Sequence, residues 1–541
     1  MFLCFLAIIS SVTAADFNNS STSVDIQTFI NNTSGSDNEI VLQAGDYVDN
    51  FLNLNITRSV TIKSNGQTNI ISTNGGTLFN ITAPHVTIIN LNISGYATAI
   101  KSNTGDLLVA GSNISTSDIS INITGSNLAD IIIENNTIVS SLSNPNAGAI
   151  FISLTGSSIA NVSIKNNDIV ADATTNSFGV WFTGNNSNIT LVIENNTING
   201  TTAFRMFGLR NNNTITITNN EKIYGRDGFG ILMTIYGDDT SINNNTITIT
   251  NNNITAERQN QLNTAHGIMI DGFSTTNNKI NISDNIIIAE LIGASGGNNP
   301  RGISMSLGQS NNSITIDNNK ITSEVYGIYL DSINCDNQLI NLTNNNIETN
   351  FHTGNTGTTL RIFNSGNNIV NVTNNTINSS IEGSHGLVIS AYNSTNIITL
   401  DINNISAGGG YGLQLYVYDS NNTINVTKNN ITARGHSVEL TEYNSNNTLL
   451  RFFDNNITSL GSNGMNIITW QQWPSISLNN FNGLELINNT INSTGPAGLY
   501  FNIATSSNLT DILITGNNIF GDYGIRFLNY AVLSSDNITI N

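Results

Sequence analysis

The sequence predicts an all-β protein, a parallel β-helix solenoid of roughly sixteen coils with a short N-terminal capping helix. Two phrases alternate with a period of about 29 residues from near residue 130 to the end, a spacing typical of solenoids. Both phrases alternate apolar and polar residues as strands do, and no helical periodicity runs between them. Only 5 prolines occur in 541 residues, where average usage of about 5% would supply over five times as many.

The first phrase is apolar-x-apolar-x-Asn-Asn. It occurs at Ile131-Ile132-Ile133-Glu134-Asn135-Asn136, Val162-Ser163-Ile164-Lys165-Asn166-Asn167, Ile314-Thr315-Ile316-Asp317-Asn318-Asn319 and Ile424-Asn425-Val426-Thr427-Lys428-Asn429-Asn430. Asn tolerates the left-handed backbone of a sharp turn, and stacked Asn side chains form hydrogen-bonded ladders. The pairs are therefore expected to hold turns. The second phrase is Gly followed by alternating apolar residues, as in Gly327-Ile328-Tyr329-Leu330 and Gly386-Leu387-Val388-Ile389. Inward Ile, Val and Leu of successive coils then stack into one core, with coils about 4.8 Å apart.

At the N-terminus, Val24 to Ile30 places apolar residues at helical spacing, which suits a helix covering the first coil's open edge. The expected organisation is a signal segment over 1–15, a cap and first strand over 16–50, and the β-helix over 51–541. Asp536 to Asn541 stops where the next Asn-Asn turn is due, as a chain cut short would.

Charged residues make up 10% of the chain and hydrophobic ones 38%. The low charge and regular apolar spacing favour a packed solenoid over a disordered polar tract. The net charge of −19, from 36 acidic and 17 basic residues, is spread thinly. No Lys/Arg cluster exists to neutralise a run of phosphates, so nucleic acid is not an expected partner. Phe2 to Val12 is apolar and runs into Thr13-Ala14-Ala15, the pattern of a secretory signal too short to span a membrane. The missing basic residue before it suggests a start further upstream. Cys4 would leave with the signal, so Cys335 stands alone and no intramolecular disulfide is expected. The mature chain has no transmembrane segment by this reading.

The run Leu42-Gln43-Ala44-Gly45-Asp46-Tyr47 and the stretch from Leu78-Phe79-Asn80-Ile81 to Leu91-Asn92-Ile93-Ser94-Gly95 resemble the start of pectate-lyase-like right-handed β-helices, which implies a right-handed parallel β-helix here. Together with the Asn-Asn-Thr-Ile repeats, the chain resembles the adhesin-like surface proteins of methanogenic archaea. The resemblance implies an extracellular, non-catalytic role in attachment or cell-surface structure, with cell-surface glycans or another cell as partner.

Three sets of residues are candidates for function. Asn-x-Ser/Thr sequons are dense, among them Asn55, Asn80, Asn92, Asn122, Asn161, Asn188, Asn253, Asn281, Asn341 and Asn456, and mark a possible glycoprotein. The residue before the slot Gly is Phe178, Phe229, His266, Arg301, Tyr326, His385, Tyr411, His436 or Tyr523. In register these form a stripe whose rings stack on sugars, with His and Arg as hydrogen-bond donors; the alternative is a corner stack shielding a turn. Asp271 and Asp331 sit four residues after the slot Gly, two coils or about 10 Å apart, with Asp238-Asp239 one coil earlier. They are the best carboxylates for a polysaccharide lyase or hydrolase, the competing reading. No cofactor is expected, and no His/Cys cluster or Asp-rich loop has metal-ligand spacing.

Overall fold

A computed structural model of the protein describes residues 14–32, 38–126, 128–141, 147–155, 160–172, 176–185, 188–236, 243–258, 264–273, 275–292, 299–309, 311–350, 354–443, 448–469, 479–503, 507–529 and 532–541. Most of the expected signal and the pair Asp238-Asp239 lie outside these residues. The chain divides into two compact units, 1–224 and 225–541. Each is built of the same coil. A strand of one parallel sheet is followed by two strands of a second, and every strand pairs in parallel with its counterpart in neighbouring coils. The parallel β-helix is thus read directly from strand register.

Among the described residues the sheet with one strand per coil has seven strands in the first unit and eleven in the second. That exceeds the expected sixteen coils by two. The early coils, with strands Leu54–Ile56, Thr77–Ile81 and Thr98–Ser102, are shorter than the repeat and lack its phrases.

The core follows from alternation. In the second unit Ile280, Ile314, Ile340, Val370 and Ile398 are direct partners in successive coils, all with side chains inside. Each such burial contributes roughly 1.5–3 kcal/mol. The slot glycines answer a different constraint. A Cβ on Gly302 would lie 2.3 Å from Ile321 Cγ2 and 2.6 Å from the Gly327 carbonyl oxygen, and Gly327 and Gly386 meet the same crowding. Only Gly lets the strand pass this close to the Ile of its own coil.

The Asn-Asn phrase separates into two jobs. Asn135, Asn166, Asn318, Asn344 and Asn374 turn the chain with φ between 51° and 57°. The Asn after each is buried and forms a ladder. The Asn319 backbone N–H and its Nδ2 both donate to Asn345 Oδ1 at 3.0 Å, while Nδ2 also reaches the Ile282 and Asp317 carbonyls at 2.9 and 3.0 Å. The same ladder joins Asn136, Asn167, Asn196 and Asn220 in the first unit. It runs from Asn252 through Asn285, Asn319, Asn345, Asn375, Asn403, Asn429, Asn455 and Asn489 to Asn517 in the second. The ladder residue is the constant one. The turn position before it accepts Lys428, Asp454 and even Ile402, at φ 56°.

The helix Ser23–Asn31 forms as expected, with a capping box between Thr22 and Asp25, and buries Ile26 and Ile30. Gln27 exchanges hydrogen bonds with the Asn55 backbone, Nε2 to its carbonyl and Oε1 from its N–H, at 3.0 and 2.9 Å. The helix thereby satisfies polar groups on the edge of strand Leu54–Ile56. Strand Ala14–Phe17 pairs with Glu39–Leu42, so the expected signal boundary at residue 15 falls within a strand.

Two substitutions test this account. Asn345→Ala strands the Asn319 donors and the Ile316 carbonyl and is expected to cost about 2–4 kcal/mol. Ile402→Asn removes a β-branched side chain from a left-handed position and is expected to stabilise by about 1 kcal/mol. Urea-unfolding midpoints read both; an unchanged midpoint for Asn345→Ala would remove the ladder from what holds the coils together.

Candidate functional site

On the outer face of the one-strand sheet, alternate residues of each strand point to solvent and line up along the coils. In the second unit the stripe is in register. Phe229 pairs with His266, His266 with Arg301, and Arg301 with Tyr326. Thr356 comes next, opposite both Tyr326 and His385. Beyond it the Gly386 and Gly412 N–H groups bond the Tyr411 and His436 carbonyls, which carries the column through those residues. Phe178 belongs to the first unit, where it is buried against Trp181. Tyr523 lies opposite Ala497 and is 58% exposed.

The rings do not offer their faces in the way the sequence suggests. His385, Tyr411 and His436 stack on one another, with centroids 5.1 and 5.8 Å apart and planes 28° and 10° apart. Their faces cover each other, His385 Nδ1 accepts from the Tyr411 backbone N–H at 3.2 Å, and His436 Nδ1 lies against Ser462 Oγ. A second stack runs along the far end of the same strands. Phe363, Tyr392 and Tyr418 stack at 4.7 and 4.5 Å, and Tyr443 follows at 5.9 Å, tilted by 43°.

Charged groups gather between these columns. Asp271, Ser306, Asp331 and Arg361 occupy one column in successive coils. Asp331 Oδ2 accepts from Arg361 Nη1 at 3.1 Å and lies 3.5 Å from the Tyr329 hydroxyl, to which Arg361 Nη1 donates at 2.6 Å. The Arg301 guanidinium lies 3.8 Å from the Tyr329 ring centroid and donates to Ser304 Oγ at 3.0 Å. Burial raises the Asp271 and Asp331 carboxyls above their ordinary range, against the pull of the arginines. Burial also pushes the His266 imidazole down to about 3, helped by the nearby Arg301 charge.

Three buried polar atoms in this cluster lack a hydrogen-bond partner: His266 Nδ1, Arg301 Nε and Asp331 Oδ1. Such atoms each cost roughly 1–3 kcal/mol unless something satisfies them. They lie on successive coils, with Arg301 against the Tyr326 and Tyr329 rings. Asp271 and Asp331 do share this face, separated by the coil of Ser306. Tyr329, Arg361 and the whole Phe363–Tyr443 column are functional candidates that sequence reasoning missed. The available signal is that strand residues three, five and seven after the slot side chain also point outward.

A second cluster nearer the C-terminus holds His436. Its Nδ1 lies 3.0 Å from Ser462 Oγ, and burial lowers its pKa while Glu439 opposes. Glu439 in turn accepts from Gln414 at 2.9 Å. Among the described residues no three His, Cys, Asp or Glu side chains converge as metal ligands, and no helix is long and apolar enough to cross a membrane.

No family model matches the chain, and no curated protein does. Solved structures are similar only at low identity. The catalytic domain of GH87 alpha-1,3-glucanase in complex with nigerose is 11% identical, with a TM-score of 0.22 over 95% of this chain and 70% of that one. The periplasmic alginate epimerase AlgG is 12% identical at 0.29, over 85% and 84%. Tailspike protein 3 of bacteriophage CBA120 is 10% identical at 0.21, over 85% and 60%.

Because His266 titrates near 6.5 when unfolded and about 3 when folded, the unfolded state binds the extra proton between these values. Its contribution to stability is full above pH 6.5 and falls as the pH drops toward 3. The raised carboxyls act with the opposite sign, so the test compares variants. His266→Asn is expected to lose less stability than the wild type between about pH 7 and pH 4, read by urea midpoints.

Proposed function

We propose that the protein is an extracellular, adhesin-like β-helix that binds glycans without cleaving them, on the outer face of the one-strand sheet in residues 225–541. The observation carrying this reading is the set Arg301, Tyr326, Tyr329, Asp331 and Arg361, which the strand register brings together on one face. Sugar hydroxyls both donate and accept, which matches the guanidinium, carboxylate and phenol groups gathered there. The stack of His385, Tyr411 and His436 continues the face along successive coils, which suits a chain-like ligand. The apolar segment Phe2 to Val12 and the likeness of the repeats to archaeal surface proteins support the extracellular setting. Attachment to a cell surface or to another cell is the role this implies.

Hydrolysis is the second reading, favoured by one observation. Asp271 and Asp331 both have raised carboxyls, and two coils of separation (about 10 Å) lies close to the upper end of the spacing used by inverting glycosidases.

A glycan array run beside a reducing-sugar release assay separates the two. Arg301→Ala and Tyr411→Ala are each expected to weaken binding about tenfold or more, which corresponds to ~1.4 kcal/mol. No sugar is expected to be released. Release that disappears in Asp331→Asn while binding survives would establish the hydrolytic reading instead.

A further inference from the structure

In the first unit one outward column of the one-strand sheet changes character along its length. Asn55, Asn80, Lys101, Asn122, Phe151, Trp181 and Arg205 are partners in successive coils. Its asparagines all head sequons: Asn55-Ile56-Thr57, Asn80-Ile81-Thr82 and Asn122-Ile123-Thr124. Their side chains are engaged differently. Asn80 spends its amide nitrogen on Asn55 Oδ1 at 2.9 Å. Elsewhere Asn92, Asn161 and Asn456 likewise donate Nδ2 to the residue one coil back, at 2.6, 2.8 and 2.9 Å. In Asn122 it is Oδ1 that is held, by the hydroxyl of its own Thr124 at 3.2 Å, and among the described residues the amide nitrogen makes no hydrogen bond.

The next residue in the column is aromatic. Phe151 and Trp181 are half-buried and meet edge to face, centroids 4.9 Å apart and planes at 65°. Unlike the parallel stacks of the second unit, these two rings are not laid face to face, and both side chains keep part of their surface in solvent. Arg205 lies over Phe178 and Trp181 at 4.9 and 5.3 Å on the far side from Asn122, and the Trp181 indole N–H has no partner. An apolar platform thus stands about one coil spacing, ~4.8 Å, from a sequon nitrogen that is free to react.

We infer that Asn122 is a site of N-glycosylation and that the first sugar lies against the Phe151–Trp181 platform. A sugar ring presents C–H groups on its faces and hydroxyls at its rim, so it covers apolar ring surface while its rim stays wet. The modification forms a bond from the Asn122 amide nitrogen to the anomeric carbon of a sugar carried on a lipid pyrophosphate by the host. The anomeric C–O bond breaks, the pyrophosphate leaves with its electron pair, and the nitrogen loses one proton. The inference rests on the extracellular half of the proposed function and not on ligand binding in the second unit.

The test is to secrete the full chain from a host that modifies Asn-x-Ser/Thr sequons, then map occupancy by glycopeptide mass spectrometry. Hydroxyl-radical footprinting of Phe151 and Trp181 follows, before and after enzymatic removal of glycans. Occupancy at Asn122 is expected, absent in Asn122→Gln, with both rings losing protection once the glycan is removed. A secreted chain bare at Asn122 overturns the site, and an occupied Asn122 with unchanged footprints overturns the platform. A chain that is not exported overturns the extracellular reading along with both.

Discussion

The buried asparagine ladder is the interaction on which the coils depend. A β-helix must turn its backbone inside the molecule, where unpaired N–H and C=O groups are costly. In the coils that carry the ladder, one Asn answers this. Its oxygen takes the backbone and side-chain donors of the Asn one coil back, and its own nitrogen closes carbonyls left open at the bend. Coil length is then free to vary without loss of register. Asn403 and Asn429 are 26 residues apart, and Asn455 and Asn489 are 34 apart, yet the contacts are the same.

Fixed register is what makes a surface out of a repeat. Slot glycines let each strand of the one-strand sheet lie close over its own coil, and alternation then places every second side chain in a column. Residues from remote parts of the sequence become neighbours at one coil spacing. Asp331 meets Arg361 across 30 residues, and His385 meets Tyr411 across 26. Rings one coil apart either stack in parallel, as Tyr392 and Tyr418 do, or meet edge to face, as Phe151 and Trp181 do. The stacks of the second unit and the Phe151–Trp181 pair of the first are these two outcomes of one geometry.

Much of this architecture is legible in the sequence. Period, alternation and Asn-Asn turns specify the β-helix because each has one physical cause, and helical spacing over Val24 to Ile30 locates the cap. The slot column is also readable, with an informative gap. Thr356 escapes notice because its coil carries Thr358 in the core where the adjacent coils carry Ile328 and Leu387. Ile402 in a left-handed turn is likewise invisible, because the ladder demands Asn403 and overrides the preference of its neighbour. The cluster around Arg301 is not readable, since which side chains meet depends on register across coils of unequal length. The unpaired state of His266 Nδ1 depends on what is missing around it, and a sequence carries no record of that.

The ladder also bears on how such a molecule ages. Asparagine decays in water when the following backbone nitrogen attacks its side-chain amide carbon, and Asn is counted among the heat-sensitive residues for that reason. A chain so rich in Asn would accumulate this damage wherever its side-chain amides were free to react. In the ladder the amide is pinned by up to three hydrogen bonds, and the following N–H, that of Thr376 for Asn375, is already donated to the Asn345 carbonyl. The attacking atom and its target are held apart by the bonds that hold the coils together. The residues most needed for the fold are thereby shielded from this decay, and chemical wear falls first on the exposed turn asparagines, where the fold has already accepted Lys, Asp and Ile.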